Sequence, residues 1–244
     1  MQAIFKREFK AYFRSPIGFV FLAAFFFYAS LMFVFINLNS QTTLMKYFFS
    51  NISLIFIFVI PILTMRTFAE ERKSKTDQLL LTAPVKVTGI VLGKFFAAVC
   101  VLLIAVVATM FYILVLNSYG EPVFSEIFIG YLGLFLMGTF FISIGLFLSS
   151  LTQSQVIAAV STLAIIFFLW FSSSLNFQFS NMMSGAFHWL GVSLDWLIDF
   201  LAINNRFMDF TLGVLNFVPV FYFVSLTALF LLLTVRVIEK RRWK

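Results

Sequence analysis

Long apolar stretches separated by short polar ones make up most of this chain. Six of these stretches come close to the ~20 apolar residues that an α-helix needs to cross the hydrocarbon core of a bilayer. The pattern predicts an all-α polytopic membrane protein with a single transmembrane domain over residues 1–244. The six predicted spans are residues 17–36, 47–65, 88–116, 126–148, 154–172 and 212–235.

The composition agrees with this fold class. Hydrophobic residues make up 62% of the chain and charged residues 11%, and the mean hydropathy is +1.04. The 37 Phe residues among 244 exceed what a soluble core would hold, whereas a surface that faces lipid tolerates them. The sequence is therefore predicted to encode an integral membrane protein.

The positive charges are concentrated in three places. Fifteen of the 17 Lys and Arg residues lie in residues 6–14, 66–94 and 236–244. Because loops rich in Lys and Arg stay in the cytoplasm, these regions and both termini are predicted to be cytoplasmic. Six spans return the C-terminus to the side of the N-terminus, so the span count agrees with the charge rule.

Residues 1–15 have the pattern of an amphipathic helix that lies on the membrane surface. Glu8 falls within its apolar arc, where we predict that it reaches out to the lipid headgroups; the alternative is a partner inside the protein. The apolar arc contains Ile4, Phe5, Phe9, Tyr12 and Phe13, and the basic face contains Lys6, Arg7, Lys10 and Arg14.

The densest group of charges away from the termini lies in Thr67 to Pro84, which we call the charged segment. Six charges fall within residues 70–77, and burying them in lipid would cost roughly 15 to 20 kcal/mol at about 2.5 to 3.5 kcal/mol each. This segment is therefore predicted to stand in water between the second and third spans.

Local pattern predicts that the charged segment is a short helix. Thr67 and Glu70 have the spacing of a capping box, Glu71 and Lys75 that of an i,i+4 ion pair, and Pro84 would end the helix. Three leucines at residues 79–81 give it an apolar tip suited to contact a cytosolic protein. The alternative is a solvated loop whose charges only fix the topology.

Three further features bear on the spans and their connections. Gly138 and Gly145 lie seven residues apart on one face of the fourth span, which predicts close packing against another helix. Lys94, near the start of the third span, is predicted to reach the cytoplasmic headgroups. Residues 173–211 alternate polar residues with residues such as Trp189 and Trp196, which indicates short helices at the external interface.

The sequence shows no pattern of residues typical of a catalytic or metal-binding site. A single Cys and a single His exclude a disulfide framework and a His-cluster metal centre. The spans have essentially no ionisable residue at mid-depth, where ion-coupled carriers normally carry one. We therefore expect no enzyme activity, no catalytic or metal site and no bound cofactor, and energy supplied from outside the chain.

Three parts of the sequence form a combined pattern: EERKSKTDQLLLTAPV followed by VLGK, IFKREFKAYFRSPIGFVF near the start and LTVRVIEKRRW near the end. Together they resemble the ABC-2 type permeases, the membrane subunits of one class of ABC exporters. The likeness is greatest to the branch with the gliding-motility-associated permeases and the copper-processing permease of nitrous oxide reductase systems. The family pattern has Gly at the position of Lys75 and Glu at the position of Gln78. The neighbouring Asp77 would supply the carboxylate that Gln78 lacks.

The resemblance implies that residues 67–84 are the coupling helix, which docks on a separate ATP-binding subunit. It also implies short re-entrant helices within residues 173–211 on the exit side. The implied docking residues are Glu70, Glu71, Arg72, Lys73, Ser74, Thr76, Asp77, Leu79, Leu80, Thr82 and Pro84.

On this basis the chain is expected to be a permease subunit of an ABC-2 exporter in a bacterial inner membrane. Its expected partners are two ATP-binding subunits, which would hold the ATP and Mg²⁺, a second permease that is a copy or a paralogue, and the lipid bilayer, with no nucleic acid. The main alternative is a non-transporting anchor or assembly subunit that recruits a cytosolic protein. A weaker one is a lipid scramblase or channel that works without ATP.

Overall fold

The computed structural model describes residues 1–76, 86–120, 122–172, 192–193, 195–196, 198, 200 and 202–242. Within these ranges the chain forms helices and connections without any β-strand. The helices are α1 (Gln2–Arg14), α2 (Pro16–Phe33), α3 (Lys46–Ile52), α4 (Phe56–Thr64), α5 (Ala69–Lys73), α6 (Val87–Thr109), α7 (Phe111–Leu116), α8 (Phe124–Leu151), α9 (Gln155–Phe171), α10 (Ile203–Thr211) and α11 (Phe217–Arg242).

Short irregular turns join some of these helices into longer rods. A π-helical turn, Val34–Leu38, extends α2, and a 3₁₀ turn, Ser53–Ile55, joins α3 to α4. Among the described residues, five of the resulting helices are long and apolar enough to cross a membrane: Pro16–Leu38, Lys46–Lys73, Val87–Leu116, Phe124–Leu151 and Phe217–Arg241. The prediction of an all-α multi-pass membrane protein is therefore confirmed.

The predicted fifth span is shorter than the others. It corresponds to α9, an apolar helix of 17 residues. At 1.5 Å per residue this helix is about 26 Å long, a little less than the ~30 Å hydrocarbon core. The count of six spans stays a prediction.

Helix α8 forms the centre of the bundle. It packs against α4, α6, α9, α10 and α11, and more than half of its residues are buried. The predicted close packing along one face is confirmed: a Cβ at Gly138 would lie 2.6 Å from a methyl carbon of Leu102 on α6, and one at Gly145 would lie 2.7 Å from the Thr64 Cβ on α4. These glycines let neighbouring backbones approach α8 closely.

One end of the bundle holds most of the described charged groups, and we call it the basic end. It contains α1, the described part of the charged segment, the first turns of α6 and the C-terminal ends of α8 and α11. At the opposite end α10 packs on α8, where Phe210 lies against Gly133. Residues 203–211 of the predicted external helices thus form a helix; most of residues 173–201 lie outside the described residues.

Candidate functional site

Helix α1 packs its apolar face on the spans. Its main neighbour is α6, where Ile4 contacts Gly93, and it also packs on α2. Tyr12 is buried, whereas the side chains of the basic face are exposed. The residues on that exposed face are Lys6, Arg7, Lys10 and Arg14.

Glu8 faces the protein interior, so the prediction that it reaches the headgroups is wrong. Its Oε1 lies 3.2 Å from the Nζ of Lys94 and accepts a hydrogen bond of 2.6 Å from Nη2 of Arg7. Only 15% of its side chain is exposed. The alternative of a partner inside the protein is the one that the structure supports.

Lys94 is the only charged residue that is fully buried in the described part of the chain, so the prediction that it reaches the headgroups is also wrong. Its ammonium donates to the backbone carbonyl of Thr67 at 2.8 Å and lies 3.0 Å from Oε1 of Glu71. It also lies 5.0 Å from the centre of the Phe68 ring. Two carboxylates and a carbonyl therefore replace water and headgroups around this cation.

Four charged side chains form one network, which we call the Lys94 network: Arg7, Glu8, Glu71 and Lys94. Arg7 closes it by donating to both carboxylates, at 2.6 Å to Glu8 and 2.8 Å to Glu71. Two positive and two negative charges balance. Removing one member of a buried pair typically costs about 3 to 5 kcal/mol, because the other charge is left without compensation.

The electrostatics at Arg7 and Tyr12 follow from this setting. Partial burial by itself lowers the pKa of Arg7, but the hydrogen bonds and charges of Glu8 and Glu71 outweigh it, so the pKa is raised. Burial raises the pKa of Tyr12 to about 12, and its hydroxyl lies 3.4 Å from the Thr67 hydroxyl. At neutral pH Arg7 is therefore charged and Tyr12 is a neutral hydroxyl.

The charged segment begins differently from the prediction. Helix α5 starts after Phe68, and no side chain from the segment caps it, so the predicted Thr67–Glu70 capping box is wrong. The Ser149 hydroxyl of α8 instead accepts hydrogen bonds of 3.1 Å from the backbone N–H groups of Phe68 and Ala69. Glu70 pairs with Arg66. Tertiary neighbours satisfy the groups that a local cap would have satisfied.

Arg72 ties the charged segment to the end of α8. Its Nη1 donates to the Leu151 carbonyl at 2.6 Å, and Arg241 of α11 donates to the neighbouring Ser150 carbonyl. Both carbonyls belong to the last turn of α8, where helix carbonyls lack partners within the helix and carry partial negative charge. Lys73 is exposed.

Helix α5 ends at Lys73, whereas the sequence predicted a helix that continues towards Pro84. Ser74 caps its last turn with hydrogen bonds of 2.9 Å and 3.2 Å to the carbonyls of Glu70 and Glu71, and Lys75 has a left-handed φ of 56°. The predicted Glu71–Lys75 pair is wrong, because this turn ends the helix and Glu71 faces Lys94. A left-handed residue after a helix is most often Gly, the residue that the ABC-2 pattern has at Lys75.

Lys75→Gly is expected to stabilise the turn. A left-handed conformation costs a residue with a Cβ about 1 to 2 kcal/mol, which glycine avoids. We expect a small rise in melting temperature for Lys75→Gly and a fall for Lys75→Val, since a β-branched side chain tolerates this conformation least. Differential scanning fluorimetry of the purified variants measures both, and equal melting temperatures would contradict the role of the turn.

A cleft of about 310 Å³ lies between α1 and residues 66–76. Charged groups of both signs and hydroxyl groups line it, among them Arg66, Glu70, Ser74 and Thr76. Four of the predicted docking residues line one side of this cleft: Glu70, Glu71, Ser74 and Thr76. Arg7 and Glu8, from the predicted interfacial helix, line the other side. Asp77, Leu79, Leu80, Thr82 and Pro84 lie outside the described residues.

Three contributors to this site were not predicted as such: Arg66, Lys94 and Ser149. Lys94 had a usable signal, since it is the only charged residue in the 23 residues of α6. A lone charge set one turn or more inside an apolar helix indicates a functional or structural pair. Ser149 had no such signal in the sequence, because its role depends on how α8 packs against α5.

A bundle of long apolar helices with a charged assembly at one end defines a multi-pass membrane protein. Residues 2–243 match the family model described as ABC-2 family transporter protein. The chain therefore belongs to the ABC-2 transporter family and is a permease subunit of an ABC transporter, a family role that implies association with an ABC ATP-binding subunit. The likeness to one branch of the family stays a prediction. A comparison with curated proteins found no match.

Proposed function

We propose that this permease couples ATP hydrolysis on a separate ATP-binding subunit to export of a substrate across a bacterial inner membrane. The observation that carries the proposal is the Lys94 network, which links the charged segment to α1 and to the third span. A segment that only fixed topology would have no need of a buried ion network. The basic end is assigned to the cytoplasm, with both termini there, because positive charge is retained on that side.

In the proposed mechanism the ATP-binding subunit docks on the charged segment and α1. Closure of two such subunits on ATP pushes the basic ends of two permeases, the second a copy of this chain or a paralogue. The contacts of Arg72 with the end of α8 and of Glu71 with Lys94 carry that push into two of the long apolar helices. The permeases then rock between states open to opposite sides.

The chain's own contribution is mechanical and electrostatic. Exposed Lys73 and the exposed basic face of α1 present positive charge to the ATP-binding subunit. The three leucines in the sequence at residues 79–81 supply hydrophobic contact. The hydrolytic chemistry, with its ATP and Mg²⁺, is assigned to the other subunit.

Co-purification with the cognate ATP-binding subunit tests the docking site. We expect Leu79→Asp/Leu80→Asp to abolish co-purification, because charges would replace the apolar tip. The matched control is Val214→Asp/Leu215→Asp, which puts the same charges on exposed aliphatic residues at the opposite end; it should leave co-purification unchanged. Retention by the first variant would overturn the docking site.

ATPase activity separates export from anchoring. We define the permease-dependent ATPase activity as the activity of the complete complex in lipid vesicles minus that of the ATP-binding subunit alone. The exporter proposal predicts a clear gain in activity. The anchor alternative predicts attachment to vesicles without a gain, and that outcome would overturn the coupling proposal while leaving the docking site intact.

A further inference from the structure

We infer that Lys94 is a positioning residue that holds α1, the charged segment and the first turns of α6 together as one rigid unit during the transport cycle. This inference rests on the proposed function and adds to it how the push is transmitted. The unit moves as a whole, and no hinge opens between the docking surface and the third span.

The geometry at Lys94 is the first reason. Its ammonium is 0% exposed and contacts one carboxylate from α1 and one from the charged segment, together with the Thr67 carbonyl. Opening a hinge between α6 and either of the other two elements would take one carboxylate away from the buried ammonium. The resulting penalty keeps the three elements together.

The packing around Lys94 is the second reason. Adjacent Gly93 lies so close to α1 that a Cβ there would stand 3.2 Å from the Ile4 Cβ. The buried Tyr12 hydroxyl reaches Thr67 at 3.4 Å, which joins α1 to the charged segment independently of the ions. Close packing and paired charge thus act on the same three elements.

The close approach of Ile4 and Gly93 allows a direct test. Disulfides form between Cβ atoms about 3.5 to 4.5 Å apart, so Ile4→Cys/Gly93→Cys needs a shift of only a few tenths of an ångström. The pair is made in a Cys100→Ala background, because Cys100 is the single native cysteine. The oxidised permease, in complex with its ATP-binding subunit in vesicles, has α1 covalently fixed to α6.

We expect permease-dependent ATPase activity to be the same in the oxidised and the reduced double-cysteine complex, with the two single-cysteine variants as controls. Elements that already move together lose nothing when they are joined. Loss of activity on oxidation that returns with dithiothreitol would overturn the inference, because it would show that α1 and α6 must separate.

The rate of disulfide formation tests Lys94 itself. With Lys94 present, we expect this rate to be equal without nucleotide and during ATP turnover. Adding Lys94→Met should make the rate depend on turnover, whereas the matched Lys86→Met, at the exposed start of the same helix, should not. Two results would overturn the positioning role. One is a disulfide rate that depends on turnover while Lys94 is present, and the other is a rate that does not depend on turnover after Lys94→Met.

Lys94→Met alone leaves two carboxylates without their buried counter-charge and could unfold the protein. A second variant therefore removes the charges of Lys94 and of both carboxylates together. Lys94→Met/Glu8→Gln/Glu71→Gln leaves no buried ion without its counter-ion and is expected to fold. Its disulfide rate should depend on turnover as in Lys94→Met, and a rate independent of turnover would overturn the role of the charges. A wild-type complex without permease-dependent ATPase activity would instead reject the proposed function, which separates the two failures.

Discussion

Glu71→Lys is expected to remove nearly all permease-dependent ATPase activity, whereas Glu70→Lys should remove much less of it. The two substitutions make the same charge change at adjacent positions of α5. They differ in what each carboxylate contacts: Glu71 binds Lys94 and Arg7, and Glu70 binds Arg66. The comparison therefore isolates the Lys94 network from the general charge of the segment.

The expected difference follows from burial. The Glu71 side chain is 18% exposed and faces a buried ammonium, whereas that of Glu70 is 38% exposed and forms an i,i+4 pair of the kind usually worth about 0.3 to 0.5 kcal/mol. Reversing Glu71 removes a counter-charge and puts a cation beside Lys94, at a cost of about 3 to 5 kcal/mol or more. A cost of this size shifts the equilibrium away from the intact network by more than tenfold, since about 1.4 kcal/mol already corresponds to tenfold. We therefore expect at least a tenfold loss of activity.

Activity and membrane insertion should be measured on the same preparations. Protease accessibility of the termini and the yield in the membrane fraction show whether Glu71→Lys is inserted, and ATPase assays of the complex in vesicles give the coupling. An equal effect of both substitutions would contradict the special role of Glu71. Glu71→Gln, which removes the charge without reversing it, should fall between wild type and Glu71→Lys.

The sequence predicts the helices of this fold well, because membrane spans depend on local composition. Long apolar runs bounded by polar residues mark the long helices. For most of these helices' ends, the predicted and observed positions differ by only a few residues. The packing face of α8 was also predictable, since Gly138 and Gly145 lie on one side of any helix that contains them. Properties of one element can be deduced from that element alone.

The candidate site was predictable only in part, because its partners are distant in the chain. Arg7 and Glu71 are 64 residues apart, and no pattern within either stretch indicates the other. Local rules paired Glu71 with Lys75 and assigned Lys94 to the headgroups, and both assignments failed for the same reason. A buried cation and a carboxylate brought together by the fold stabilise each other more than exposed local pairs do.

Gly145→Leu is expected to cause a large loss of stability where α4 and α8 meet. A Cβ at this position would lie 2.7 Å from the Thr64 Cβ, far inside van der Waals contact, and Thr64 is fully buried on α4. Neither the α8 backbone nor the α4 side chain can move aside without separating the two helices. Overpacking of this kind typically costs about 1 to 3 kcal/mol, occasionally more.

The matched control adds the same side chain where space is free. Ala164 lies on α9 and is exposed, so Ala164→Leu adds apolar surface that lipid or detergent can cover. We expect Gly145→Leu to lower the melting temperature in detergent by several degrees, since 1 kcal/mol corresponds to about 2 to 4 °C in a chain of this size. Ala164→Leu should leave it unchanged.

The result also bears on transmission through the bundle. The basic ends of α4 and α8 flank the charged segment, with Ser149 capping α5 and Arg72 holding the last turn of α8. If Gly145→Leu separates the two helices, permease-dependent ATPase activity should fall more than the lost stability alone explains at temperatures well below melting. A variant that keeps both its melting temperature and its activity would show that α4 and α8 can be spread apart here, and that close packing at Gly145 is not required for either.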